Sequence, residues 1–217
     1  MEIDLLKSYP KLKRNTSDRA SSKTEKDQLI ARQFGQEFFD GERRYGYGGY
    51  YYDKKYWSPV VPDFMKFYKL NSQSKVLDVG CGKGFFLHDL MNFIPGISIS
   101  GIDISSYAIS NSLQSVKPFL RVCDAKKLPY ESNYFDLVVS INTIHNLDSS
   151  ECMQAVKEIE RVSKLSSYII VDAYRTQKEK ERMNEWNLTA KTFMSVDAWK
   201  EFFKDAGYTG DYYWFIP

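Results

Sequence analysis

Val76-Leu77-Asp78-Val79-Gly80-Cys81-Gly82-Lys83-Gly84, followed at once by Phe85-Phe86-Leu87-His88-Asp89-Leu90, decides the fold. A short apolar run ends in three alternate glycines, and a helical pattern starts directly behind them. The stretch reads as strand, turn and helix. Glycines let a backbone take positive φ and approach a ligand closely. The helix start behind them offers unpaired N–H groups. Asp103 closes the next apolar run, Ile97–Ile104, 19 residues after Gly84. A carboxylate at that place can accept both ribose hydroxyls of a nucleoside.

Outward from this core the same grammar repeats. Residues 119–125, 135–142 and 167–174 are strand-like runs, and residues 106–116 and 150–162 carry helical spacing between them. Strand and helix alternate at intervals of about 30 residues, the mark of βαβ units on a parallel sheet. A last helix, residues 197–207, precedes an aromatic run, residues 208–216. Upstream, residues 1–28 carry seven basic and five acidic side chains and read as a surface arm. Residues 29–40 are predicted to form one helix with Leu29, Ile30, Phe34, Phe38 and Phe39 near one face and Gly41 as its cap. Residues 41–57 fit no period, and six tyrosines fall between positions 45 and 56. We therefore expect an arm and aromatic lid over residues 1–57 and an α/β domain over 58–217.

Composition narrows the function. At 217 residues, with 43% hydrophobic and 27% charged side chains, the chain has ordinary globular proportions. No apolar run reaches the length of a membrane span. Thirty basic against 28 acidic residues, a net +2, make no electrostatic case for nucleic acid. Three cysteines and two histidines lack metal-ligand spacing, so no metal is expected. Reduced thiols and the absence of a secretory-type apolar stretch point to the cytoplasm.

Two nucleotide classes compete for the glycine loop. The dinucleotide fingerprint G-x-G-x-x-G/A would put a small residue where Phe85 stands; the spacing here is G-x-G-x-G. VLDVGCGKG instead resembles the first motif of the class I S-adenosylmethionine-dependent methyltransferases. GIDIS, CDAKKLPY, FDLVVSINTIHNL and EIERV resemble that family's later motifs, in order, over residues 75–175. The resemblance implies a Rossmann-like three-layer sandwich, with a mostly parallel central sheet, helices on both faces, and an N-terminal helical and aromatic lid. It implies S-adenosylmethionine as the methyl donor. Asp78 would orient the loop or bind the methionine amino group, while Gly80, Gly82 and Gly84 would shape the cradle. Asp103 would hold the ribose, with Ile104 against the adenine. Asp124 and Ala125 would line the adenine side, and the Ser140 carbonyl would meet the methionine ammonium. The chain departs from the family in two places: Leu165-Ser166-Ser167 stands where a Pro-Gly turn is usual, and only Tyr208–Pro217 follow the last helix. The terminal hairpin of the family must then be missing or rebuilt.

The acceptor side is less legible. Residues just beyond strand ends matter most in open α/β sheets. His145 is the first candidate for a general base, because its ordinary pKa suits the task; orienting its own loop is the other reading. Asp172 is the second candidate, or else a partner for Arg175. Among the lid tyrosines, Tyr47 is expected near the cofactor and Tyr45 and Tyr50 near the substrate, since aromatic faces attract a sulfonium. Packing is the plainer role for them. Arg43, Arg44 and Arg175 suggest an anionic acceptor. Trp186 and Asn187 are candidates for the pocket wall. The expected activity is methyl transfer to a small molecule at oxygen, with an anionic or carbohydrate-related metabolite as acceptor. The rivals are an RNA or protein methyltransferase and a non-catalytic cofactor-binding subunit.

Overall fold

The computed structural model describes residues 1–10 and 23–217. Part of the expected N-terminal arm, residues 11–22, lies outside the described residues. Among the described residues seven strands form one sheet: β1 Lys75–Val79, β2 Ser98–Asp103, β3 Leu120–Val122, β4 Phe135–Ile141, β5 Ser163–Tyr174, β6 Met194–Ser195 and β7 Asp211–Phe215. The order is β3-β2-β1-β4-β5-β6, with β7 also paired to β5. Every one of these pairings is parallel.

Parallel strands are covered on both faces, and alternate side chains sort themselves between two cores. On β4, Leu137 and Val139 enter one core while Val138 enters the other; on β5, Tyr168 and Ile170 oppose Ile169 and Val171. Helices α4 (Val61–Tyr68) and α5 (Phe85–Phe93) cover the first face through Val61, Phe64, Phe86 and Leu90. Helices α7 (Ser149–Val162) and α9 (Val196–Asp205) cover the second through Val156, Ile159, Trp199 and Phe203. The three-layer sandwich of the sequence reading is thus present.

Both family departures resolve physically. The Leu165-Ser166-Ser167 stretch is a bulge: Phe135 pairs Ser163 but Leu137 pairs Ser166, and the Ser163 hydroxyl donates to the Ser166 carbonyl at 2.8 Å. The terminal hairpin is rebuilt as a single parallel strand. α9 carries the chain back, so β7 runs alongside β5 from Tyr168–Asp211 to Asp172–Phe215. Its carboxyl end therefore points where the other strands' ends point.

Residues 1–10 do not behave as a peripheral arm. Glu2 forms a parallel bridge with Tyr212, Ile3 N–H donates to the Tyr212 carbonyl at 3.0 Å, and Leu5 is buried. The Tyr168 hydroxyl donates to the Ile3 carbonyl and accepts from Leu5 N–H. An edge strand left bare is an aggregation template, and this segment covers β7. Deleting residues 1–10 should lower Tm by roughly 10 °C. Burial of Leu5 contributes about 2 kcal/mol, the orphaned Tyr168 hydroxyl costs about 1–3 kcal/mol, and each kcal/mol moves a chain of this size by about 2–4 °C. Calorimetry checks this; an unchanged Tm would show the segment to be dispensable.

The single helix expected over residues 29–40 is two: α1 Glu25–Ala31 and α2 Gln36–Asp40. Between them Phe34 adopts φ 50°, and Gly35 caps α2. The chain turns there, so Phe34 and Phe38 meet edge to face at 5.1 Å. Helix α3 (Lys54–Trp57) follows the tyrosine segment. The stretch predicted as a helix over 106–116 is helical only at α6 (Ser106–Ser110), with Ser105 accepting from Ala108 N–H at 3.0 Å. Among the described residues no helix is long and apolar enough to cross a membrane.

Candidate functional site

A cavity of about 920 Å³ opens at the carboxyl ends of the strands, at the upper end of the usual range for small-ligand sites. Asp78 lies on β1 and Gly80 follows it, Asp103 ends β2 with Ile104 behind it, Asp124 and Ala125 follow β3, Asn142 and Thr143 follow β4, and Asp172 lies on β5 two residues before its end.

Two carboxylates dominate the floor. Asp78 is buried and accepts no hydrogen bond from the described residues; burial first, then the nearby Asp103 charge, push its carboxyl up to about 8. Asp103 is buried too, and burial raises it, but its oxygens each take one backbone donor. Gly82 N–H donates to Oδ2 and Ser105 N–H to Oδ1, both at 2.8 Å. One carboxylate thus folds the glycine loop against the start of α6 and keeps lone pairs for a ligand. Ile104, 56% exposed beside it, presents a bare apolar face to the cavity. Asp124 lies at the same end, accepting from Lys126 N–H at 2.9 Å.

The three glycines separate by role. Only Gly80 and Gly82 line the cavity. A Cβ on Gly80, at φ +88°, would strike the Thr143 hydroxyl at 2.0 Å, and one on Gly82, at φ +54°, would meet the Tyr50 ring at 3.3 Å. Gly84 corrects the expectation. It lies off the cavity, against Val116 and Leu120, where a side chain would collide with the packing under α5. Ser140, whose carbonyl is the expected contact, is fully buried in β4 and does not line the cavity, where Ile141 and Asn142 form the wall. Asn142 reaches it by a left-handed turn at φ 54°, a conformation asparagine tolerates better than most residues.

His145 has two expected uses, as a base or as the orienter of its own loop. Its Nδ1 accepts from the Asp172 backbone N–H at 3.0 Å. That amide occupies the Nδ1 lone pair, so the neutral ring carries its proton on Nε2, which faces Asp172 Oδ1 at 3.8 Å. Burial lowers its pKa against the opposing pull of the Asp172 carboxylate. A neutral ring in this tautomer has no lone pair left for a substrate proton. This geometry suits the second reading of His145, as the orienter of its own loop. Asp172 is held from the other side by Trp199 Nε1, which donates to its carbonyl at 2.9 Å. Its carboxylate is the acidic group that β5 delivers to the cavity.

The lid tyrosines divide likewise. Tyr47 and Tyr50 line the cavity. Their centroids are 4.3 Å apart, and Tyr50 stacks on Phe85 at 4.7 Å. Tyr45 does not line the cavity; it lies under the Arg44 guanidinium, 4.5 Å from it. Arg44 itself pairs with Asp27 and Glu42. Arg175 and Trp186 line the far wall; Arg175 pairs with Glu2 at 3.7 Å, and Trp186 stands 6.0 Å from Phe215. Sequence reading missed Asp4, Leu6 and Tyr9, which complete this wall. It also missed Arg32, which reaches the Thr189 carbonyl at 3.4 Å. Among the described residues no group of three or more His, Cys, Asp or Glu could hold a metal ion.

A family model described as a methyltransferase domain matches residues 70–207. A tRNA (carboxymethyluridine(34)-5-O)-methyltransferase of Arabidopsis thaliana is 30% identical over 122 residues, covering 56% of this chain and 28% of its own. The mouse (Mus musculus) mitochondrial arginine-hydroxylase NDUFAF5 is 31% identical over 128 residues, covering 51% of this chain and 36% of its own. The chain therefore spans about a third of the length of these curated relatives. Among solved structures, phospholethanolamine N-methyltransferase 2 of Haemonchus contortus shares the fold with a TM-score of 0.53 and 20% identity, over 90% of this chain and 45% of that one.

Proposed function

The chain belongs to the class I S-adenosylmethionine-dependent methyltransferase family, and from that premise we propose that it is a cytoplasmic enzyme that methylates a small anionic acceptor at oxygen. The observation that carries the donor half is the paired floor: a buried, donor-less Asp78 beside an Asp103 that keeps lone pairs free. A cationic nucleoside with an ammonium and two vicinal hydroxyls answers both needs. S-adenosylmethionine supplies, when bound, an electrophilic methyl on a sulfonium. Asp78 would bind the ammonium, Asp103 the ribose, and Ile104 and Asp124 the adenine. Tyr47 and Tyr50 would roof the cation and exclude water.

The acceptor half rests on charge. Arg32 and Arg43 both line the cavity, and neither pairs with a carboxylate among the described residues. Guanidinium forks there suit a carboxylate or phosphate; a sugar acid or sugar phosphate would bring the hydroxyl as well. Asp172, which lines the cavity, would take the hydroxyl proton. Most of the rate comes from holding acceptor and methyl in line. A net charge of +2 gives no broad phosphate-binding surface, which weighs against a tRNA acceptor such as the Arabidopsis relative's name records. Thermal shift with S-adenosylmethionine, S-adenosylhomocysteine and NAD tests the donor. Methyl-label transfer to panels of sugar acids, sugar phosphates and tRNA tests the acceptor. Stabilisation by NAD alone, or label on tRNA alone, defeats the corresponding half.

Asp78 supplies a prediction with a sign. Burial, helped by the neighbouring Asp103 charge, lifts its carboxyl from the ordinary 3.8 to about 8. Its contribution to stability is thus fully present below that lower value and is lost as pH rises through about 8. Asp78→Asn escapes this loss. The ligand-free variant should melt a few degrees higher at pH 8, about 2–4 °C per kcal/mol recovered, yet bind S-adenosylmethionine at least about tenfold more weakly. Wild-type affinity should itself rise with pH through about 8, as the carboxyl ionises. Melting curves and calorimetric titration check both signs.

A further inference from the structure

Asp40, the last residue of α2, gathers three elements of the site on one carboxylate. Its Oδ1 accepts from Lys83 Nζ at 2.8 Å and from the Tyr50 backbone N–H at 3.0 Å; Oδ2 accepts from Lys83 Nζ at 2.6 Å and from the Tyr107 hydroxyl at 2.7 Å. Lys83 stands inside the glycine loop, Tyr107 sits on α6 just past Asp103, and Tyr50 is the lid ring over Gly82. Lys83 is buried and does not line the cavity. A lysine in that loop could have faced a ligand's charge; this one is spent on the lid. A second tether runs alongside, from the Ser105 hydroxyl to the Phe34 carbonyl.

We propose that Asp40 is a positioning residue that latches the aromatic lid onto the cofactor cradle, so that S-adenosylmethionine leaves only when the Asp40 links to Lys83 and Tyr107 break. The proposal rests on the cofactor reading above. The logic is geometric. Gly82 and Asp103, the groups assigned to the cofactor, are each one or a few residues from a group that Asp40 binds. A lid pinned to both sides of the cradle cannot lift from one side alone. Tyr50 is carried on the same carboxylate by its own amide, which fixes the ring over the loop.

Removing one charge would leave its buried partner unpaired, a large cost in itself. The test therefore removes both, as Asp40→Ala/Lys83→Met, beside Tyr107→Phe, which deletes one hydrogen bond and no charge. Dissociation of S-adenosylmethionine is followed by stopped-flow displacement, and hydrogen exchange is followed at residues 41–50. The double variant should release the ligand about fiftyfold faster and Tyr107→Phe about fivefold faster. Ligand-dependent protection of residues 41–50 should vanish in the double variant. A purely structural role would lower Tm without this selective loss. Wild-type dissociation and protection in a folded double variant would overturn the latch, and so would an unchanged rate in Tyr107→Phe. If the wild-type protein does not bind S-adenosylmethionine, the cofactor reading falls and the latch with it.

Discussion

Asp103→Ala is expected to weaken S-adenosylmethionine binding by roughly 10²–10⁴-fold while leaving the fold intact. Two losses combine. The ribose hydroxyls lose a charged acceptor, at about 1.5–3 kcal/mol for each hydrogen bond. The loop also loses its tie, because the Asp103 oxygens hold Gly82 N–H and Ser105 N–H at 2.8 Å. With that tie gone, the backbone turn that meets the ligand is no longer preorganised. Asp103→Asn separates the two effects. It keeps one oxygen acceptor and loses the charge, so it should fall between alanine and wild type. Calorimetric titration reads the dissociation constants, and circular dichroism checks the fold. A dissociation constant unchanged in Asp103→Ala would remove this carboxylate from the site.

The cradle was legible because its parts are close in sequence and chemically rare. VLDVGCGKG and GIDIS stand at strand ends, and a parallel sheet brings successive strand ends together whatever lies between. What the motif does not reveal is which glycine faces the ligand. Gly80 accommodates Thr143 and Gly84 accommodates Val116 and Leu120, contacts made by residues 32–63 positions away. The N-terminal wall was hidden for a different reason. Ile3 and Leu5 sit in a polar stretch without periodicity; Ile3 pairs with Tyr212 of β7 and Leu5 N–H with the Tyr168 hydroxyl of β5, both more than 160 residues on. Pattern reading sees only local period, so such pairing leaves no trace. Asp40 and Lys83 look like surface charges for the same reason; only the folded chain shows them paired, with Lys83 buried and Asp40 half-buried. His145 carries two readings, base and loop orienter. Its residue type suggested a base, but tautomer is set by a backbone amide that no sequence displays.

That amide makes the acceptor-side prediction sharp. Asp172→Ala should lower turnover by roughly 10²–10⁴-fold, the range expected when a general base is lost, with cofactor affinity little changed. His145→Asn should cost far less, about tenfold or below. Asparagine can still accept from the Asp172 amide through its side-chain oxygen, so the carboxylate stays where β5 and Trp199 put it. His145→Ala removes that acceptor, strands the amide in a buried site and should cost more than asparagine does, about 1–3 kcal/mol in stability. The pH dependence of turnover gives the independent reading. Burial depresses the His145 pKa below its ordinary value, against the pull of Asp172, and so favours the neutral ring. The pH–rate profile of His145→Asn should therefore keep the wild-type shape. A histidine base would predict the reverse: His145→Asn inactive, its profile flattened on the acid side, and Asp172→Ala impaired mainly in acceptor binding. If Asp172→Ala and His145→Asn both turn over normally, the chain supplies no base, and the acceptor oxygen must arrive already ionised, as a carboxylate does.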